Sequence, residues 1–111
     1  YDYKTFDGTC VRDFIHVNDA VEAFVRCLKC KKSIGMQINI ATGVKTTVRE
    51  LIDKLISYQN NKITVEYSGE TVGDIYGIYA DISNMESILG MNKLISIEEG
   101  ISGLIDWAKS K

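Results

Sequence analysis

The sequence predicts an α/β unit in which strands and helices alternate along the chain. Three observations support this. Short β-branched or aromatic runs alternate with segments whose apolar residues recur every three or four positions. Asp19, Thr47 and Ser96 are each followed three residues later by a glutamate, the reciprocal cap that opens a helix. Glycine and asparagine turns separate these segments.

The elements follow in order. Asp7-Gly8-Thr9 has turn chemistry, and Phe14, Ile15 and Val17 favour a strand over about 12–17. Asp19 and Glu22 read as a capping box, and Val21, Phe24, Val25 and Leu28 fall on one face of a helix expected to end near Cys30. Met36 to Ala41 reads as a second strand, and Gly43 as the turn before a helix capped by Thr47 that buries Val48, Leu51, Ile52 and Leu55. Asn60-Asn61 should break that helix. Ile63, Val65 and Tyr67 then alternate as a third strand, and Ser68 to Gly77 reads as a loop. Ile78 to Ala80 is expected to be extended before a short helix ending at Gly90. A terminal helix capped by Ser96 lines up Ile97, Ile101, Leu104, Ile105 and Ala108, with Trp107 at the edge of that face.

At 111 residues, 45% hydrophobic and 25% charged, residues 1–111 should form a single domain with one modest core. A formal net charge of -2 gives no broad basic field for nucleic acid, so Lys29, Lys31 and Lys32 read as a solvated helix end. No run reaches the roughly 20 apolar residues of a membrane span, and a cytoplasmic chain without membrane contact is expected. The chain starts at Tyr1, which fits a piece of a longer polypeptide. Cys10, Cys27 and Cys30 are expected as reduced core or surface thiols. The Cys27-x-x-Cys30 pair falls near a helix C-terminus, where the macrodipole opposes a thiolate. Cys10 and His16 could complete four zinc ligands only formally, because no second paired motif organises them, so no metal is expected.

The run from Asp7 to Phe24, DGTCVRDFIHVNDAVEAF, closely resembles the DGTGVRDYIHVxDLAxxH segment of UDP-glucose (UDP-galactose) 4-epimerases. These belong to the NAD-dependent epimerase/dehydratase family of extended short-chain dehydrogenase/reductases. Ile38-Asn39-Ile40-Ala41-Thr42-Gly43 resembles that family's YNLGxG strand and turn, and Gly73-Asp74 with Tyr79-Ala80-Asp81 resembles its GDxxxxxAD segment. These anchors span nearly the whole chain but only the family's C-terminal part. The resemblance implies a small C-terminal substrate-binding portion, with the dinucleotide-binding domain absent.

Arg12 offers a planar fork of donors suited to a diphosphate, a contact worth on the order of 1.5 to 3 kcal/mol. On residue type alone, a salt bridge to Asp13 or another carboxylate is an equal reading; the resemblance assigns Arg12 to the UDP phosphates. It likewise places Phe14, where the family usually has Tyr, beside the nucleotide, and gives Val48 a nucleotide contact, although packing explains both residues equally well. Asp74 accepts from the ribose hydroxyls on the same basis; otherwise it is an ordinary loop aspartate. The family's second phosphate-binding arginine is replaced here by Thr71, a loss worth roughly ten-fold to over a hundred-fold in binding unless Lys45 or another cation substitutes.

His16, within a strand followed directly by a helix cap, reads as structural instead of catalytic. Tyr58-x-x-x-Lys62 matches the superfamily's catalytic spacing, but Asn60-Asn61 should prevent the two from sharing a helix. The chain has no glycine-rich dinucleotide turn, so the catalytic pair and the NAD site of the parent are expected upstream, and this chain alone should be inactive. The intact enzyme implied by the resemblance interconverts C4 epimers of a UDP-sugar with bound NAD through a 4-keto intermediate. A homodimer is among the assemblies it admits. Two alternatives stay open: a 4,6-dehydratase or other nucleotide-sugar epimerase, and a non-catalytic nucleotide sensor or scaffold.

Overall fold

The computed structural model describes residues 7–58, 62–68 and 72–111. Within them lie β1 (Val11–Arg12), α1 (Val17–Lys29), a 3-10 turn (Lys31–Ser33), β2 (Thr46–Thr47), α2 (Val48–Ser57), α3 (Ser83–Leu89) and α4 (Ile97–Lys109). β1 and β2 pair antiparallel, with Val11 opposite Thr47 and Arg12 opposite Thr46. On its other edge Val11 meets Gly77 in a parallel bridge: its N–H donates to Tyr76 O at 2.8 Å, and its carbonyl accepts from Ile78 N at 3.2 Å. β1 is therefore flanked by two segments that are far apart in sequence.

Two of the three expected capping boxes form as read. Thr47 and Glu50 cap α2 reciprocally, and Ser96 and Glu99 cap α4. The first helix differs. It starts at Val17, His16 is its N-cap with Nδ1 accepting from Asn18 N, and Asp19 is drawn inside the first turn. There Asp19 is buried, and its carboxylate accepts the Ile95 N–H at 2.8 Å, tying α1 to the α3–α4 connection. A tertiary acceptor role has displaced the local one. The short α3 ends at Gly90, whose φ of 67 is the left-handed cap that glycine adopts without steric cost. Arg26 Nη1 adds donors to the terminal carbonyls of Leu89 and Gly90.

The core is small and sits between α1 and α3. Ala23, Met85, Leu89 and Met91 are buried there, with Cys27, Cys30, Ile38, Ile40, Ile82, Ile88 and Leu94 packed around them. The expected inward face of α1 is not the buried one. Ala23 and Asp19 point to the core, whereas Val21, Phe24 and Leu28 are exposed. On α4, Ile101 is buried but Leu104 and Trp107 face outward.

Two expected strands do not form. Residues 36–41 and 62–68 carry the strand pattern, but neither has a neighbouring strand among the described residues. A strand pattern yields a strand only when a partner supplies the ladder. The Asn60-Asn61 break lies at residues 59–61, outside the described ones.

The Asp13 carboxylate holds the remaining connections in place. Oδ1 accepts from Thr42 N at 2.8 Å and Thr42 Oγ1 at 2.5 Å, and Oδ2 accepts from Gly43 N at 2.9 Å and Ala80 N at 3.3 Å. Gly43, with φ 73, lets the turn curl around the carboxylate. Burial pushes the Asp13 carboxyl up, but the hydrogen bonds from Thr42, Ala80 and Gly43 outweigh it and leave the group below its ordinary 3.8.

Asp13→Asn turns an amide NH2 toward these donors, so urea unfolding is expected to show a loss of about 2 kcal/mol. A depressed carboxyl contributes stability above its unfolded value and loses it as pH falls through the folded one. Wild type should therefore lose this increment below about pH 3.8, with no corresponding loss from this position in the variant. Thr47 Oγ1 both accepts from Glu50 N and donates to Asp7 Oδ2, so Thr47→Ala should cost about 1 to 2 kcal/mol by the same measurement.

Candidate functional site

The site begins with the turn that sets β1. Asp7 Oδ1 accepts from Thr9 N at 2.9 Å and Thr9 Oγ1 at 2.8 Å, and Asp7 Oδ2 accepts from Thr47 Oγ1 at 2.5 Å. This ties the turn to the start of α2. Desolvation raises the Asp7 carboxyl, but the bonds from Thr47 and Thr9, with the Arg49 charge, bring it below its usual value.

At the end of β1, Arg12 and the residue that follows it take different partners. Asp13 turns to the Thr42-Gly43 turn, and Arg12 turns to the segment beside Gly77. Arg12 Nη1 donates to Val11 O at 2.8 Å and Ile75 O at 2.9 Å, and Nη2 donates to Asp74 Oδ1 at 2.8 Å. The parallel bridge at Gly77 explains why Asp74, 62 residues downstream, reaches Arg12. The salt bridge is to Asp74 and not to Asp13.

A guanidinium carries five N–H donors, and these three bonds leave two, Nε–H and one on Nη2, without a partner among the described residues. Both side chains of the Arg12–Asp74 pair remain over a quarter accessible, at 28% and 29%. Such a fork is held by fixed carbonyls while keeping donors for an incoming oxyanion.

Arg12 also lines a shallow depression of about 420 Å³ with Asp13, Asn39, Ile78, Tyr79, Ala80 and Asp81. The Lys45 ammonium lies 4.3 Å from the centroid of the ring of Tyr79, one of the lining residues, although Lys45 itself lines a separate cavity. Asn39, Tyr79 and Asp81 were legible as parts of motifs but not as lining residues, because the strand pattern at 36–41 and 78–80 hides which side faces the depression.

The structure thus brings Arg12 and Asp74 together and leaves Phe14 and Val48 apart. Phe14 lines a separate cavity of about 530 Å³ with Val44, Lys45, Ile82, Met91 and Leu94. Val48 is half-buried at the start of α2, its N–H donating to Cys10 O at 3.0 Å. Thr71 lies outside the described residues.

His16 caps α1, and its Cδ2 is close enough to α4 that a Cβ on Gly100 would meet it at 3.1 Å, a structural role. α2 ends at Ser57 with Tyr58 as its cap, so Tyr58 and Lys62 share no helix. Among the described residues, no helix is long and apolar enough to cross a membrane. The cysteines are unpaired, and among the described residues no group of three His, Cys, Asp or Glu is placed to hold a metal ion. The described residues also include no glycine-rich cradle that would fit a dinucleotide, so the chain's own residues supply no step through NAD.

Residues 3–41 match the family model described as NAD dependent epimerase/dehydratase family. UDP-glucose 4-epimerase of Rhizobium leguminosarum bv. trifolii is 38% identical over 98% of this chain, and UDP-arabinose 4-epimerase 1 of Arabidopsis thaliana is 34% identical over 97%. The chain spans 34% and 26% of their lengths, about a third or less of these curated relatives. The crystal structure of UDP-glucose 4-epimerase from Bifidobacterium longum in complex with NAD+ and UDP superposes with a TM-score of 0.86 at 28% identity, covering 99% of this chain and 33% of that one. UDP-glucose-4-epimerase from Stenotrophomonas maltophila, with bound NAD and formylated UDP-arabinopyranose, gives 0.86 at 29% identity, covering 98% of this chain and 33% of that one. With the Arg12 segment, the Gly43 turn and the Asp74 segment in one fold, the chain belongs to the NAD-dependent epimerase/dehydratase family and corresponds to the C-terminal part of an extended short-chain dehydrogenase/reductase.

Proposed function

We propose that this chain is the nucleotide-sugar-binding portion of an NAD-dependent UDP-sugar 4-epimerase, most similar in kind to UDP-glucose 4-epimerase. The single observation that carries this reading is the meeting of Arg12 and Asp74 at 2.8 Å, with guanidinium donors left over for phosphate oxygens. Arg12 takes the diphosphate and Asp74 accepts from the ribose hydroxyls, whereas Phe14 and Val48, which lie apart from this pair, are left to packing. Lys45, against the Tyr79 ring, supplies part of the positive charge that Thr71 does not.

NAD and the proton-transferring tyrosine belong to a dinucleotide-binding portion that this chain does not contain, and the two portions act as one enzyme with a homodimer as its candidate assembly. A cytoplasmic place in galactose metabolism belongs to the same reading. A second reading, a non-catalytic nucleotide sensor, rests on Thr71 at the usual arginine position. A helical Tyr-x-x-x-Lys motif preceding this chain in its gene would exclude the sensor.

Calorimetric titration of UDP, UDP-glucose and GDP-glucose into the chain tests the anchor. Uridine nucleotides should bind, and Arg12→Ala should weaken them by roughly ten-fold to a hundred-fold. Equal affinities for wild type and variant would remove the assignment. Lys45→Ala should weaken binding less, by about five-fold, with a shallower salt dependence, as expected for an exposed cation.

A further inference from the structure

Arg49 is a cation that neither the packing of the fold nor the Arg12 anchor accounts for. It stands in the first turn of α2, where a positive charge opposes the macrodipole and adds to the positive end of the helix. The side chain is exposed, and its guanidinium lies over the Tyr67 ring, 5.3 Å from the centroid. Stacking of that kind engages the flat face of the group and leaves its edge of N–H donors available for an oxyanion. Asp7, whose carboxyl feels the Arg49 charge, already accepts from Thr9 and Thr47.

The backbone brings this cation toward the Arg12 anchor. Val11 pairs with Thr47, the Val48 N–H donates to Cys10 O at 3.0 Å, and the Arg49 N–H donates to Thr9 Oγ1 at 3.1 Å. Arg49 therefore starts beside Thr9, three residues before Arg12, a separation of at most about 10 Å along the chain. Two arginine side chains projecting from such a spacing can reach one diphosphate between them. The downstream chain touches the same two points: Tyr67 lies under Arg49, and Asp74 pairs with Arg12. Thr71, where the family usually has its second phosphate-binding arginine, falls between Tyr67 and Asp74 in sequence.

We propose that Arg49 is the second diphosphate-binding residue of this chain, supplying from the start of α2 the charge that the family's arginine supplies from the position of Thr71. The proposal rests on the nucleotide-sugar reading above and names the cation that completes its phosphate site. Lys45, which lines a separate cavity, contributes a weaker charge at longer range. A guanidinium stacked on a ring also has its orientation set before the ligand arrives, so little rotamer freedom is lost on binding.

Titrations of UDP and of uridine into the chain, followed by NMR chemical shifts, test the assignment. Arg49→Ala should weaken UDP by about ten-fold and flatten the salt dependence of its binding, while uridine, which has no phosphate, binds variant and wild type alike. Arg49→Lys should recover only part of the loss, because an ammonium does not reproduce the fork. In a Thr71→Arg background UDP should bind more tightly than to wild type, and Arg49→Ala should then cost about two-fold or less. UDP affinity indifferent to Arg49→Ala, a loss shared equally by uridine, or an undiminished cost in the Thr71→Arg background would each overturn the assignment. The two readings fail apart: UDP binding unaffected by Arg12→Ala removes the nucleotide-sugar reading, whereas binding that needs Arg12 but ignores Arg49→Ala removes only this one.

Discussion

The arrangement of this chain depends on the choice made by one carboxylate. Asp13 lies next to Arg12 in sequence, and pairing the two would satisfy both charges locally. An exposed ion pair of that kind contributes about 0 to 1 kcal/mol. Turned the other way, Asp13 accepts four hydrogen bonds from segments 29, 30 and 67 residues downstream, and charge-assisted bonds of this type contribute about 1.5 to 3 kcal/mol each before strain and entropy are subtracted. The second arrangement wins, and Arg12 is left to other partners. Two adjacent charged side chains of opposite sign thus take separate partners.

The same choice determines who partners Arg12. With Asp13 committed, the guanidinium is fixed by Val11 O, Ile75 O and Asp74. The pair with Asp74 orients the fork but also lowers the positive potential that a diphosphate would feel. The two carbonyls share the work of orienting the guanidinium, so its placement does not rest on the ion pair alone. Held this way, the side chain has already given up most of the rotamer freedom that an unsupported arginine would lose on binding.

How much of this was legible in the sequence varied with the physics involved. The Thr47–Glu50 and Ser96–Glu99 boxes were readable because a cap is a contact over three residues that needs nothing else. Gly90 as a helix stop was readable for the same reason. The meeting of Arg12 with Asp74 was only half readable: both residues stood out through family motifs, but their contact depends on the Val11–Gly77 bridge, which no local pattern announces. Asp19 looked like a cap and became a buried tertiary acceptor, because a carboxylate one turn into a helix can serve either role and the Ile95 N–H decided the matter.

The misread elements share one cause. Periodicity reports that α1 has an apolar face and that residues 36–41 alternate as a strand does, but it says nothing about which molecule supplies the other side. A hydrophobic stripe is a statement about eventual burial, and a strand pattern is a statement about an eventual ladder. Val21, Phe24 and Leu28 satisfy the first statement only if something covers them, and Ile38 and Ile40 satisfy the second only if a strand lies alongside. Each leftover Phe or Leu side chain forgoes about 1.5 to 3 kcal/mol while it faces water, so several together are a large share of the stability that a chain of this size can reach. The uncovered side of α1 is therefore an unmet contribution to this chain's stability that its own described residues do not supply.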